Sequence, residues 1–162
     1  MSHSVTITRT TTTSTTNTSY IVLNTGYLKS FPGILKLFEL IIGAAIVGIV
    51  AYNYQGYRNY FYSGQQDLFL YLMATTFMIG TFCLLLACLT SLSTGGIIAK
   101  TIYELIYHSV AAILILAASI CLLIRLRDVK HDGYMVAGVL GLVNAVLYFI
   151  SAFLAHRSYR GI

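Results

Sequence analysis

The sequence predicts an all-α integral membrane protein: an antiparallel bundle of four transmembrane helices behind a disordered, Thr-rich N-terminal tail. Three observations lead there. The 162 residues are 57% hydrophobic and 9% charged, with a mean hydropathy of +0.79. Soluble domains carry about 25% charged residues, so a chain this apolar needs lipid as its solvent. The charges also leave long gaps: 32 residues between Asp67 and Lys100, 20 from Leu105 to Ile124 and 22 from Tyr134 to Ala155. A helix rising 1.5 Å per residue needs roughly 20 apolar residues to cross a hydrocarbon core of about 30 Å. Finally, the connections between gaps are short, and short connections make consecutive helices antiparallel neighbours.

Taken in order, residues 1–28 form a polar tail expected on the cytoplasmic side. Its segment "TRTTTTSTTNTS", Thr8 to Ser19, lacks the apolar content needed to offset ordering entropy. No short apolar segment with a small-residue cleavage site marks a signal peptide, so the first span is expected to direct insertion. The transmembrane domain is expected over 29–157, with spans at about 32–54, 68–92, 97–124 and 134–155. Pro32 stands at the start of the first span, where its missing N–H costs nothing. The loop after it, "AYNYQGYRNYFYSGQQD", concentrates Tyr52, Tyr54, Tyr57, Tyr60, Phe61 and Tyr62. Such a cluster is an interfacial belt, rings among the headgroups and hydroxyls in water. "SLSTGG" ends the second span, "RLRDVKHDG" turns the third into the fourth, and residues 158–162 are a short cytoplasmic tail.

Four spans put both termini on one side. Nearby basic residues there are Lys29, Lys36, Lys100, Arg157 and Arg160, against Arg58, Arg125, Arg127 and Lys130 opposite. Five against four is a small bias toward cytoplasmic termini, the side on which lysine and arginine accumulate. In that orientation the sequon Asn17-Thr18-Ser19 stays unmodified. The net charge of +5 is scattered through loops and tails, with no basic run or aromatic platform for nucleic acid. Anionic lipid is the expected partner of these charges. Cys83, Cys88 and Cys121 all fall in apolar segments, so no extracellular disulfide framework is expected.

The chemistry-bearing candidates lie at the span ends. Lys36 and Glu39, three residues apart, share a helix face. Lys36 is close enough to the end to extend toward headgroups, whereas Glu39 sits a turn deeper. Glu39 is expected to pair with Lys36 or with Lys100. Its functional alternative is a protonatable carboxylate coupled to transport. Glu104 and His108, spaced i,i+4 on the third span, form a second polar pair. In the four-span arrangement both pairs lie near one membrane face, where Lys36, Glu39, Lys100, Glu104 and His108 are expected to form a single network. Small residues recur every four positions at Gly133, Ala137, Gly141 and Ala145, and again at Ala44 and Gly48. That spacing lets helix backbones approach closely in lipid, within the bundle or in self-association. Tyr20 and Leu23 fit a Tyr-x-x-bulky-apolar sorting signal, and Tyr159 to Ile162 has the same form. No hydrolytic triad, phosphate-cradling glycine loop or His/Cys metal cluster is present in the sequence, and neither an enzymatic activity nor a cofactor is expected.

"FPGILKLFELIIGAAIVGIVAY" resembles the opening of a MARVEL domain of the MAL and chemokine-like-factor type. Members commonly begin their first helix with Leu-Lys, an acid or amide shortly after, then a glycine. Here those positions are Leu35-Lys36, Glu39 and Gly43. The resemblance covers about residues 28–157. It implies a non-enzymatic, multi-pass protein of the plasma membrane or vesicles, working with other membrane proteins in vesicle traffic, membrane apposition, or cell–cell fusion and junction sites. The occludin- and synaptophysin-like members have longer or disulfide-bearing extracellular loops. This chain has short ones, which points to a role inside the bilayer. The rival readings are a proton- or ion-coupled transporter or proteolipid using Glu39, and an accessory subunit of a channel or receptor.

Overall fold

In the computed structural model of the chain, residues 24–56, 65–90, 94–98, 101–127 and 132–161 are described. Four long helices carry the fold: α1 (Phe31–Gly56), α2 (Gln65–Thr90), α4 (Ile102–Arg125) and α5 (Asp132–Arg160). A five-residue helix, α3 (Thr94–Ile98), links α2 to α4, and a 3₁₀ turn (Thr25–Lys29), here called the strap, precedes α1. All four long helices are long and apolar enough to cross a membrane. The third span begins later than its hydropathy suggests. Residues 94–98 coil separately, and Thr101, extended at ψ 148°, turns its hydroxyl back onto the Ile98 carbonyl at 2.7 Å before α4 starts.

The helices follow an up-and-down path. α1 packs on α2 and α5, and α4 on α5 and α2, so α1 and α4 occupy opposite corners. On α5 the buried residues fall at Tyr134, Ala137, Gly138, Gly141, Asn144, Ala145, Tyr148, Ser151, Ala152 and Ala155. Steps of three and four residues make one seam, and on α4 the same steps run from Glu104 through His108, Ala111, Ala112, Ile115, Ala118, Ser119 and Leu122. Small and polar residues occupy these seams, while Phe38, Ile41, Phe82, Ile113, Phe149 and Phe153 point outward, each at least half exposed. That inversion is what lipid demands: apolar side chains gain nothing by leaving it, so helices associate through close packing and hydrogen bonds.

Along the bundle axis the interior changes character. The end formed by the last turns of α1 and α4 and the first turns of α2 and α5 has an apolar core of Ile46, Val50, Leu70, Ala74, Ala118, Leu122 and Ala137. The same end is closed by an ion pair, Arg125 Nη1 to Asp67 Oδ1 at 2.9 Å. Asp67 lies in the first turn of α2 and Arg125 in the last turn of α4, each where the helix dipole favours its charge. A second apolar cluster, Phe77, Ala111, Ala112, Ile115, Ala145 and Tyr148, fills the middle. The end that carries the strap is polar.

The strap is tied down at both ends. Asn24 donates its backbone N–H to the Leu89 carbonyl at 2.7 Å, crossing to α2. Ser30 caps α1: its hydroxyl accepts from the Gly33 N–H at 3.3 Å and donates to the Tyr27 carbonyl at 2.6 Å. Burial pushes the Tyr27 hydroxyl up to about 12 against the opposing pull of Lys36, so it stays a neutral phenol. Gly33 is what lets this turn fold so tightly, since a Cβ there would stand 2.1 Å from the Tyr27 carbonyl oxygen. Backbone cannot rotate away like a side-chain tip. Gly33→Ala is therefore expected to unseat the strap while the four helices persist. Limited proteolysis should show cleavage within residues 24–30 at least several-fold faster than in the wild type, with unchanged helical circular dichroism.

Candidate functional site

The polar end of the bundle is built from charged residues that three helices bring together. Lys36 and Glu39 extend inward from α1, Glu104 and His108 from α4, and Ser151 from α5. All five are buried, Glu39 and His108 completely. α1 and α4 each pack mainly on α2 and α5, and long side chains join them across the middle of the bundle.

Lys36 Nζ forms an ion pair with Glu104 Oε1. Glu39 Oε1 accepts a hydrogen bond from Ser151 Oγ at 2.5 Å. The Lys36–Glu39 pair expected from their shared face is therefore not the one made. An intrahelical pair would leave Glu104 buried and alone on α4, whereas the interhelical pair satisfies it and joins two corners of the bundle. Glu39 then takes its partners from α5 and α4. His108 Nδ1 lies 2.8 Å from the Glu104 carbonyl, and His108 Nε2 lies 3.7 Å from Glu39 Oε2. Lys100, the fifth expected member, falls outside the described residues.

Beneath this layer lies a hydroxyl cluster. Thr81 Oγ1 lies 2.7 Å from Tyr148 Oη and 3.0 Å from Tyr107 Oη, and Tyr107 Oη donates to the Phe77 carbonyl at 2.9 Å. The Tyr107 ring meets the His108 ring edge-on at 5.1 Å. Above the layer, a cavity of about 320 Å³ opens between the helix ends, lined among others by Tyr27, Ser30, Lys36, Glu104, Ser151 and Ser158. Ser151 thus borders the cavity on one side and holds Glu39 on the other.

The small-residue stripes separate. On α5, Ala137 and Ala145 are buried, and Gly141 is so close to α4 that a Cβ would meet Ser119 Oγ at 2.1 Å. A Cβ on Gly133 would meet the Asn53 amide of α1 at 2.4 Å. Ala44 and Gly48 instead face outward, and nothing lies within 4 Å of a Cβ at Gly48. Tyr20 and Leu23, expected from the sequence to form a sorting signal, lie outside the described residues. Ser151, Tyr148, Asn144 and Thr81 were not among the sequence candidates. The first three had a signal, since polar residues at 144, 148 and 151 fall on one face of an otherwise apolar helix.

Fold and interior together define a multi-pass, four-helix membrane protein in which, among the described residues, Lys36 pairs with Glu104 and Asp67 with Arg125 inside the bundle. More narrowly, residues 27–154 match the MARVEL family, described as the membrane-associating domain. The chain belongs to that family. It is similar to plasmolipin of Danio rerio, 23% identical over 137 residues that cover 84% of this chain and 76% of the relative. No solved structure matches the chain. Proteins with this domain are membrane-associated and take part in membrane apposition and trafficking.

Proposed function

We propose that the chain is a non-enzymatic organiser of membranes, acting within the bilayer at sites of vesicle traffic, membrane apposition, or cell–cell fusion and junction. Its termini face the cytoplasm, its home is the plasma membrane or vesicles, and its partners are lipid and other membrane proteins. One observation carries this reading: among the described residues, each acid and lysine buried in the bundle has a partner on another helix. Lys36 meets Glu104, Glu39 meets Ser151, and Asp67 meets Arg125. The surface left for partners is the apolar, lipid-facing exterior. In this reading Lys36 and Glu39 orient and lock the first helix.

The transporter reading draws on the same residues, since Glu39 is a buried acid next to a cavity. It also needs a route to the opposite face, where tightly packed Ile46, Leu70, Ala118 and Leu122 support a closed path. Purified protein in liposomes should carry no proton current in response to an imposed pH gradient, wild type and Glu39→Gln alike. Cells lacking the chain should recover delivery of membrane cargo to the surface with either form, to within about twofold. A flux that Glu39→Gln abolishes would replace the organiser with a transporter.

A further inference from the structure

Two buried polar atoms at the centre of the network face each other without hydrogen-bond partners: Glu39 Oε2 and His108 Nε2. They are 3.7 Å apart and fully excluded from the surface. The other atoms of both groups decide what lies between them. The Glu104 carbonyl can only accept, so His108 Nδ1, 2.8 Å away, carries its hydrogen. In a neutral imidazole that leaves Nε2 as an acceptor. Glu39 Oε1 is already taken by the Ser151 hydroxyl. With no further proton, a carboxylate oxygen would confront a nitrogen lone pair, both desolvated and both unsatisfied. With two, a carboxyl O–H would confront an imidazolium N–H, again with no acceptor. One proton satisfies both atoms.

We propose that Glu39 and His108 bind one proton between them, and that this proton exchanges with water only through the cavity at the strap end of the bundle. Direct hydrogen bonds of this kind span about 2.7–3.2 Å, so a shift of under about 1 Å in either side chain closes the gap. The charge balance agrees. Lys36 and Glu104 neutralise each other, and the singly protonated pair adds no net charge to the interior. A lone buried carboxylate there would be costly. Among the described residues, the remaining titratable groups near the pair are Tyr107 on α4, Tyr148 on α5 and, beyond Lys36, Tyr27 of the strap with Cys88 of α2 beside it; α2 also contributes the neutral Thr81. Among the described residues, none of these further groups is a cation placed to pair with Glu39 in place of the proton. Access follows from Ser151, which lines the cavity and holds Glu39. In the opposite direction the hydroxyl chain of Thr81, Tyr107 and Tyr148 ends on the Phe77 carbonyl; beyond it lie the buried Asn144 and Ser119, the latter bonded to the Ile115 carbonyl, and then the apolar core of Ile46, Leu70, Ala118 and Leu122. On uptake, a hydronium or buffer acid in the cavity gives up its proton to the pair; on release, cavity water or base takes it back.

Infrared difference spectroscopy of the full chain in lipid nanodiscs tests this. At neutral pH the wild type should show the C=O stretch of a protonated carboxyl, and Glu39→Gln should lack it. Gln donates to His108 Nε2 and accepts from Ser151, so this variant keeps the fold. His108→Leu should move the band to higher frequency as the carboxyl loses its acceptor. In liposomes with one orientation, raising the pH on the strap side should remove the band, and raising it on the other side should leave it. Absence at neutral pH of both a protonated-carboxyl band and an imidazolium band that His108→Leu removes, or a carboxyl band that persists in Glu39→Gln, overturns the shared proton. A band that responds from the side opposite the strap overturns the one-sided access. Proton flux would sink the organiser reading yet leave the shared proton standing, so the two can fail separately.

Discussion

Lys36→Met should destabilise the bundle by about 3–5 kcal/mol, and Glu104→Leu by a similar amount, because each leaves one uncompensated charge in the interior. Lys36 is 2% and Glu104 8% exposed, so either survivor is left with the confined cavity in place of an opposite charge. The two together should behave differently. Replacing a buried ion pair by apolar residues of similar volume is often neutral or better, so Lys36→Met/Glu104→Leu should recover most of what either single change loses. Unfolding in mixed detergent, followed by circular dichroism, measures all four proteins. Recovery in the double variant means the pair specifies which helix faces meet rather than supplying net stability. Losses that simply add would mean that the two side chains act independently, with Tyr27 and the cavity water as their real partners.

The same pair shows what a sequence read on its own can and cannot give. Charge gaps and short loops suffice for four spans, because lipid leaves a helix no alternative to satisfying its own backbone. The polar membrane face was legible too: Lys36, Glu39, Glu104 and His108 all lie within two turns of a span end, and antiparallel topology puts those ends together. Which acid meets Lys36 was not legible. A one-dimensional reading favours the i,i+3 neighbour, while the choice depends on the rotation of α4 about its own axis. Ser151 was missed for a related reason, since a serine in an apolar helix often bonds its own backbone, as Ser119 does to the Ile115 carbonyl. The small-residue spacing likewise recurs on α1 and α5, but only on α5 does it face neighbouring helices.

Glycines on the two kinds of face should respond with opposite signs. A Cβ on Gly80 would stand 2.5 Å from Tyr107 Oη and 2.9–3.0 Å from its ring. Gly80→Ala must therefore push the ring away from α2. That ring is held by the Phe77 carbonyl, by Thr81 and by an edge-to-face contact with Phe77 at 5.9 Å. Overpacking costs typically 1–3 kcal/mol, and a buried hydroxyl left unmatched adds about 1–3, so a loss of roughly 2–6 kcal/mol is expected. Gly48→Ala is the opposite case: it adds a methyl group to an outward helix face with nothing near it, so it should be neutral or stabilise by up to about 1 kcal/mol through helix propensity. The Gly80 mechanism has its own control. Tyr107→Leu removes the obstructing ring and its hydroxyl together, so in that background Gly80→Ala should lose most of its effect. The coupling should reach about 1–3 kcal/mol in a double-mutant cycle. Independent, additive losses would place the damage in α2 itself, and the close approach of α4 to Gly80 would no longer explain why glycine stands there.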